Sequence, residues 1–348
     1  MLSQPHRTRL ASIALAAASL LAFAPAAAVA QGVPSNAIAP GPGFRGTEPA
    51  RAGEAAPERR WDAELRAFAS YDSNIGLTEE QAPAPYEYEP GLRAGLAAST
   101  TFRVAELGPL RLGAGFFAAQ TLTAGDSYAD DYDLSTLSPQ LFANAAFDVG
   151  GAPGSVQLAY QFRRDFLGGD DFELSHSLRV GSALRPLASL ELGASYQVSF
   201  DDFDATGFHG LNAARDAESH RFGLQATWLG TEAGRSLGVG YEYLHNQADD
   251  ANFDFDGHGT FARFRTPLPL ARFVQLELLA AYTSVDYVHY TPAPQREART
   301  QQYRAALLLP LTHGFVLDAS YAYLRIGADQ ARFRTQRHLL SAGVSFHF

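Results

Sequence analysis

What most constrains this chain is a pattern of period two that begins at Trp61 and runs to Phe348. In residues 190–200, Leu190, Leu192, Ala194, Tyr196, Val198 and Phe200 alternate with Glu191, Gly193, Ser195, Gln197 and Ser199. In residues 337–348, Leu340, Ala342, Val344, Phe346 and Phe348 alternate with Leu339, Ser341, Gly343, Ser345 and His347. Such alternation belongs to strands with one apolar face and one small or polar face. About fourteen such stretches can be read, joined by short Gly/Pro turns and longer polar segments in alternation. A sheet in lipid cannot leave an edge unpaired, so even strand number and alternating connection length both fit a barrel closed on itself. A soluble two-sheet sandwich would produce this concordance only by accident. The expected fold is all-β: a closed, up-and-down antiparallel transmembrane β-barrel of about 14 strands over residues 61–348.

Composition is consistent with this. Apolar residues make up 46% of the chain, and no window beyond the first thirty residues is greasy enough for a membrane helix. Cysteine is absent, which removes disulfides, thiolate catalysis and Cys-ligated metals. Lysine is absent too, so every basic side chain besides histidine is arginine. A formal net charge of -10 argues against nucleic acid as a partner. Residues 1–30 read as a signal peptide: Arg7 and Arg9, an apolar core over 13–23, and Ala28-Val29-Ala30 as the cleavage site. Residues 31–60 are rich in Pro, Gly and Ala and read as a disordered periplasmic leader. The expected location is the outer membrane of a Gram-negative bacterium, with both termini periplasmic.

Aromatic residues gather at the strand ends. Trp61, Phe102, Phe147, Phe315, Phe346 and Phe348 adjoin short turns; Tyr71, Tyr160, Tyr196, Tyr243, Tyr282 and Tyr323 adjoin long connections. Two belts at two membrane interfaces are expected. The ending Phe346-His347-Phe348 resembles that of bacterial outer-membrane barrels, and the resemblance implies an assembly signal at Phe346 and Phe348 read by the barrel assembly machinery. Tyr71-Asp72-Ser73-Asn74, followed by Ile75, resembles the first barrel strand of the surface lipoprotein assembly modifiers. That family joins a fourteen-strand barrel to a periplasmic helical-repeat domain and helps move cargo to the cell surface. The resemblance implies export and a periplasmic cargo or accessory protein, although residues 31–60 are too few for helical repeats.

Strands about 4.8 Å apart and tilted about 40° give fourteen strands a radius of about 14 Å and a lumen roughly 15 Å across. The period places Arg66, Arg93, Arg103, Arg111, Arg163, Arg179, Arg221, Arg304 and Arg337 inside, with Glu64, Glu173, Glu191, Glu242, Glu277 and Asp318. Charges of both signs in a wet lumen orient passing solutes, or else brace the wall as pairs. The facing of the strand ending near Phe264 cannot be read. Acidic residues concentrate toward the long connections: Asp126, Asp130, Asp131 and Asp133; Asp165, Asp170 and Asp171; Asp201, Asp202 and Asp204; Asp249, Asp250, Asp254 and Asp256. They read as solvated loop charge, or as cation sites beside lipopolysaccharide. Asn252-x-Asp254-x-Asp256-Gly257 opens like a calcium loop, but Arg263 stands where the closing glutamate belongs. The scattered histidines lie in no hydrolase or metalloprotease motif, so neither catalysis, nor a cofactor, nor a metal is expected. The functional expectation is a pore for transport or export of polar solutes, polysaccharide or surface cargo. The alternative is a structural or surface-display barrel with acidic, cation-binding extracellular loops.

Overall fold

The computed structural model describes residues 60–74, 90–124, 133–204, 215–232, 234–269, 271–291, 296–311, 314–329 and 334–348. The expected signal peptide, and the leader except Arg60, lie outside the described residues, as do Asp126, Asp130 and Asp131. Fourteen strands follow in order: β1 (Trp61–Asp72), β2 (Gly91–Leu107), β3 (Leu110–Ala124), β4 (Leu134–Val149), β5 (Ala152–Leu167), β6 (Asp170–Leu187) and β7 (Leu190–Phe203). The second half comprises β8 (Ala217–Leu229), β9 (Ser236–Ala248), β10 (Phe255–Leu268), β11 (Ala271–Tyr287), β12 (Arg296–Pro310), β13 (Phe315–Ala328) and β14 (Thr335–His347). Each strand pairs antiparallel with its neighbours in sequence, and β1 pairs with β14, closing the barrel. The closure runs from Glu64 opposite His347 to Asp72 opposite Leu339. Phe348 N–H donates to the Ala63 carbonyl at 3.0 Å and Ser73 N–H to the His338 carbonyl at 2.9 Å, extending the seam at both ends.

Short connections join β2–β3, β4–β5, β6–β7, β8–β9, β10–β11 and β12–β13 at what we term the turn end; the longer ones lie at the loop end. The connection β5–β6 is the exception, a tight turn at the loop end. Its Gly168 and Gly169 take φ of 60° and 93°, as Gly150 and Gly151 take 62° and 87° at the turn end. Two successive positive φ values match the right-handed twist of the flanking strands, and glycine adopts them without a Cβ clash.

The distribution of side chains is that of a barrel standing in lipid. Leu92, Leu96, Leu141, Leu224, Val239 and Leu340 point outward and are exposed, and Trp61, Phe102, Tyr160, Tyr196 and Tyr282 stand outward toward the two rims. The opposite faces carry the buried polar groups, among them Arg66, Gln140, Ser175, Glu277 and Arg337. An outward apolar band between aromatic girdles costs nothing in hydrocarbon and a great deal in water. Three inward phenylalanines, Phe68, Phe142 and Phe261, each lie across a glycine directly opposite on the next strand: Gly95, Gly113 and Gly240. A Cβ on any of these glycines would collide with the ring.

The inner wall is not polar throughout, which corrects the expectation of a wet lumen along its whole length. At the loop end of β9–β14, Leu244, Phe255, Val285, Tyr287, Ala298, Ala322, Leu324, Ile326 and Leu339 form a buried apolar cluster with Tyr290 packed against it. Tyr287 and Leu324 are 0% and 1% exposed. The Arg296 guanidinium lies 3.9 Å over the Tyr287 ring. An inward side chain facing open water would keep some exposure, so this part of the wall is covered over. A smaller cluster, Leu134, Leu167, Phe172 and Phe203, sits at the loop end of β4–β7.

Candidate functional site

The polar inner wall divides into a seam, a charged wall and a polar bay. At the seam, Asp72 is fully buried on β1 and meets Arg337 of β14: Arg337 Nε donates to both carboxylate oxygens at 2.8 and 2.9 Å, and Nη2 adds a further bond. Arg93 of β2 stands 3.5 Å from the same carboxylate. Asn74 N–H donates to Asp72 Oδ1, and its side-chain amide donates to Thr335 Oγ1 and the Gln336 carbonyl. Ser73 Oγ accepts from the His338 N–H at 2.8 Å. Of the Tyr71-Asp72-Ser73-Asn74 motif, the last three residues therefore latch the first strand to the last, while Tyr71 faces outward. A second latch lies nearer the turn end. Arg66 of β1 reaches across β14 to Asp318 of β13, with bonds of 2.5 and 3.3 Å. It passes over Gly343, where a Cβ would meet Arg66 Nη2 at 3.0 Å and Asp318 Oδ2 at 2.8 Å.

Most other inner charges are also paired. Arg163 binds Glu173 and lies 3.2 Å from Asp165. Arg185 meets Glu191 at 3.2 Å, and Arg103 and Arg111 meet Glu106 at 2.8 and 3.4 Å at the turn end. Glu64 stands 3.8 Å from His347, Glu242 faces inward opposite Gly259, and Arg179 faces inward opposite Gln197. Arg265 binds Glu277, with Nε to Oε1 at 2.7 Å. Arg265, Arg185 and Arg263 were not among the inner charges read from sequence. The period fails on β10, where Phe255 and Phe261 face inward while Phe264 faces outward. The carboxylate of Glu277 on the next strand was the available signal, since a buried carboxylate needs a cation beside it.

Two of the inner arginines that form no ion pair among the described residues stand side by side. Arg263 of β10 and Arg304 of β12 flank Leu279 of β11 at one height, and Arg263 Nη2 and Arg304 Nε have no hydrogen-bond partner. The polar bay lies on β5–β10 and encloses about 140 Å³. Gln161, Ser175, Ser177, Gln197, Ser199, Ser219, Arg221 and Asn246 line it, with Phe203 and Phe255 at its loop end. Arg215, 7% exposed, lies 4.5 Å over the Phe203 ring, and its Nε and Nη2 have no partner. Burial pushes the Arg215 pKa below the ordinary guanidinium value, against the pull of Glu173.

The acidic residues placed in the long connections are redistributed. Asp165 and Asp201 sit on strands and face inward, accepting from Thr136 Oγ1 at 2.7 Å and Ser175 Oγ at 2.5 Å. Asp133, Asp216 and Asp254 accept from the backbone N–H groups of Thr123, Phe203 and Ala248. Asp250 accepts from Asn252 N–H at 2.9 Å and caps a short turn over Ala251–Phe253, after which the calcium-like stretch runs into β10. Among the described residues, no three His, Asp or Glu side chains are placed to hold a metal ion.

No protein-family model matches the chain, and no curated protein sequence does. Solved structures to which it is similar include Acinetobacter baumannii OccAB3, at 9% identity and a TM-score of 0.46, covering 83% of this chain and 99% of that one. A BenF-like porin from Pseudomonas fluorescens is similar at 11% identity and a TM-score of 0.44, covering 83% and 98%. An anion-selective porin from Comamonas acidovorans gives the same identity, score and coverage.

Proposed function

We propose that this barrel stands in a bacterial outer membrane and is a passive pore for small polar solutes, with a preference for anions. One observation carries the reading. The inner face from Glu191 to Asp201 on β7, and from Ser219 to Thr227 on β8, contains only Glu, Gly, Ser, Gln, Asp, Arg and Thr. Two adjacent strands thus offer an uninterrupted wet track along the barrel. The anion preference rests on Arg263 and Arg304, which stand side by side on the inner wall, each with a guanidinium nitrogen left without a hydrogen-bond partner. Fixed charge beside a narrow aqueous path selects the opposite sign. The covered apolar cluster at the loop end limits the passage to small solutes and speaks against folded cargo. Export in the manner of surface lipoprotein assembly modifiers rests on the motif at Tyr71, and seam closure already accounts for Asp72, Ser73 and Asn74.

Single-channel recording of the folded, full chain in a planar bilayer tests both parts. Discrete conductance is expected, with a reversal potential in a salt gradient that favours anions. The Arg263→Gln, Arg304→Gln double variant should keep its conductance and lose the preference. A folded sample without conductance would remove the pore, and an unchanged reversal potential would remove the role of the two arginines.

A further inference from the structure

The outer wall holds a groove that the pore reading does not use. It encloses about 410 Å³ on the lipid-facing side of β9–β13. Its floor is Ala262, Ala280 and Ala305, and its sides are Leu237, Phe264, Leu278, Tyr303 and Tyr321. The pairing Ala262–Ala280 and the step from Leu278 to Ala305 run the floor obliquely across three strands. Small residues there form a trough bordered by bulkier side chains.

Polar groups stand above the groove on the same outward face. Tyr303, Tyr323 and His338 lie side by side on β12, β13 and β14, with the Tyr303 and Tyr323 rings stacked at 6.5 Å and the Tyr323 and His338 rings tilted at 4.8 Å. The next outward row is Gln301, Arg325 and Gln336. Two residues along a strand is about 7 Å, which places this row at headgroup level above a buried chain. Arg325 is exposed and has no partner among the described residues. The exposed outward arginines Arg164 and Arg299, by contrast, are paired with Asp171 and Glu297. Tyr321 OH bonds His338 Nδ1 at 2.8 Å. With the phenol donating, the imidazole proton sits on Nε2, a further donor on this face.

We propose that this face of β10–β14 is a binding site for a phosphorylated lipid of the leaflet at the loop end. One acyl chain lies along Ala262, Ala280 and Ala305, and the phosphate is held by the Arg325 guanidinium with Gln301, Gln336 and His338 around it. A guanidinium fork matches phosphate oxygens, and uncharged donors beside it satisfy those that remain. An unpaired outward cation on a protein of net charge -10 complements an anionic headgroup. The inference rests on the barrel standing in a bilayer, not on its conducting, so the two can fail separately.

The test is native mass spectrometry of the full chain from detergent, titrated with bisphosphorylated lipid A and with the same lipid stripped of both phosphates. Folding of every variant is first checked by heat-modifiable gel migration. The phosphorylated lipid should bind the unaltered chain about tenfold or more tighter than the stripped one, the loss expected when charge-assisted bonds are removed. R325Q should abolish that difference, A280F should weaken both lipids, and R164Q should change neither. Equal affinity for the two lipids, or an unchanged preference in R325Q, would overturn the proposal. So would a dimer that A280F dissolves, because the groove would then belong to a second copy of the chain.

Discussion

Asp72 is the least exposed charge among the described residues, and its surroundings set what a substitution does. Its carboxylate receives Arg337 through two nitrogens and lies beside Arg93, with Asn74 N–H as a further donor. Removing one member of a buried pair strands the other, at a cost of about 3–5 kcal/mol. R337M leaves Asp72 with Arg93 alone and should therefore lower the free energy of unfolding, read from urea titrations in lipid vesicles, by up to that amount. The D72N, R93M, R337M triple variant, which removes all three charges of the cluster, should recover at least half of the loss. Equal losses for single and triple variants would show that the latch acts through packing and not through charge. The strand period made the inward facing of Arg66, Arg93, Arg304 and Arg337 legible. It could not give their partners, because Arg66 finds Asp318 two strands away across a glycine, and such diagonal reach depends on register.

At the scale of the strand, alternation was enough wherever lipid and water faced each other across one sheet. β7 reads cleanly because one face is greasy and the other wet over its whole length. β13 does not, because its inner face passes from Asp318 and Ser320 to Ala322, Leu324 and Ile326 while its outer face stays apolar as far as Tyr321. Where both faces avoid water the period carries no sign, and the covered cluster stayed hidden for that reason. The cluster makes a prediction that separates the two apolar environments of the barrel. Leu340 of β14 faces lipid, and L340A loses only the transfer free energy of the deleted carbons, about 2 kcal/mol. Leu324 is packed against protein, and L324A also leaves a cavity, for a loss of up to about 5 kcal/mol. Paired unfolding titrations in the same vesicles measure the difference. Matching losses would mean that Leu324 is wetted or lipid-filled rather than packed.

For the whole molecule, closure organises everything else. The two latches tie β1 to β14 and β13 on the inside, while the outward aromatics hold the same strands at the two interfaces. The interior is lopsided, polar along β7 and β8 and apolar at the loop end of β9–β14, so in the proposed pore solutes follow one side of the bore. The three rings that lie across glycines bear on how wide that bore is. Phe68, Phe142 and Phe261 lie flat like shingles because the residue beneath each has no side chain. One added methyl at Gly95 would tip the Phe68 ring off the wall and into the passage. G95A should thus reduce single-channel conductance without changing net charge, and G95A with F68A should restore it. Along these staves, calibre would be set by the hydrogen atoms that Gly95, Gly113 and Gly240 carry in place of a side chain.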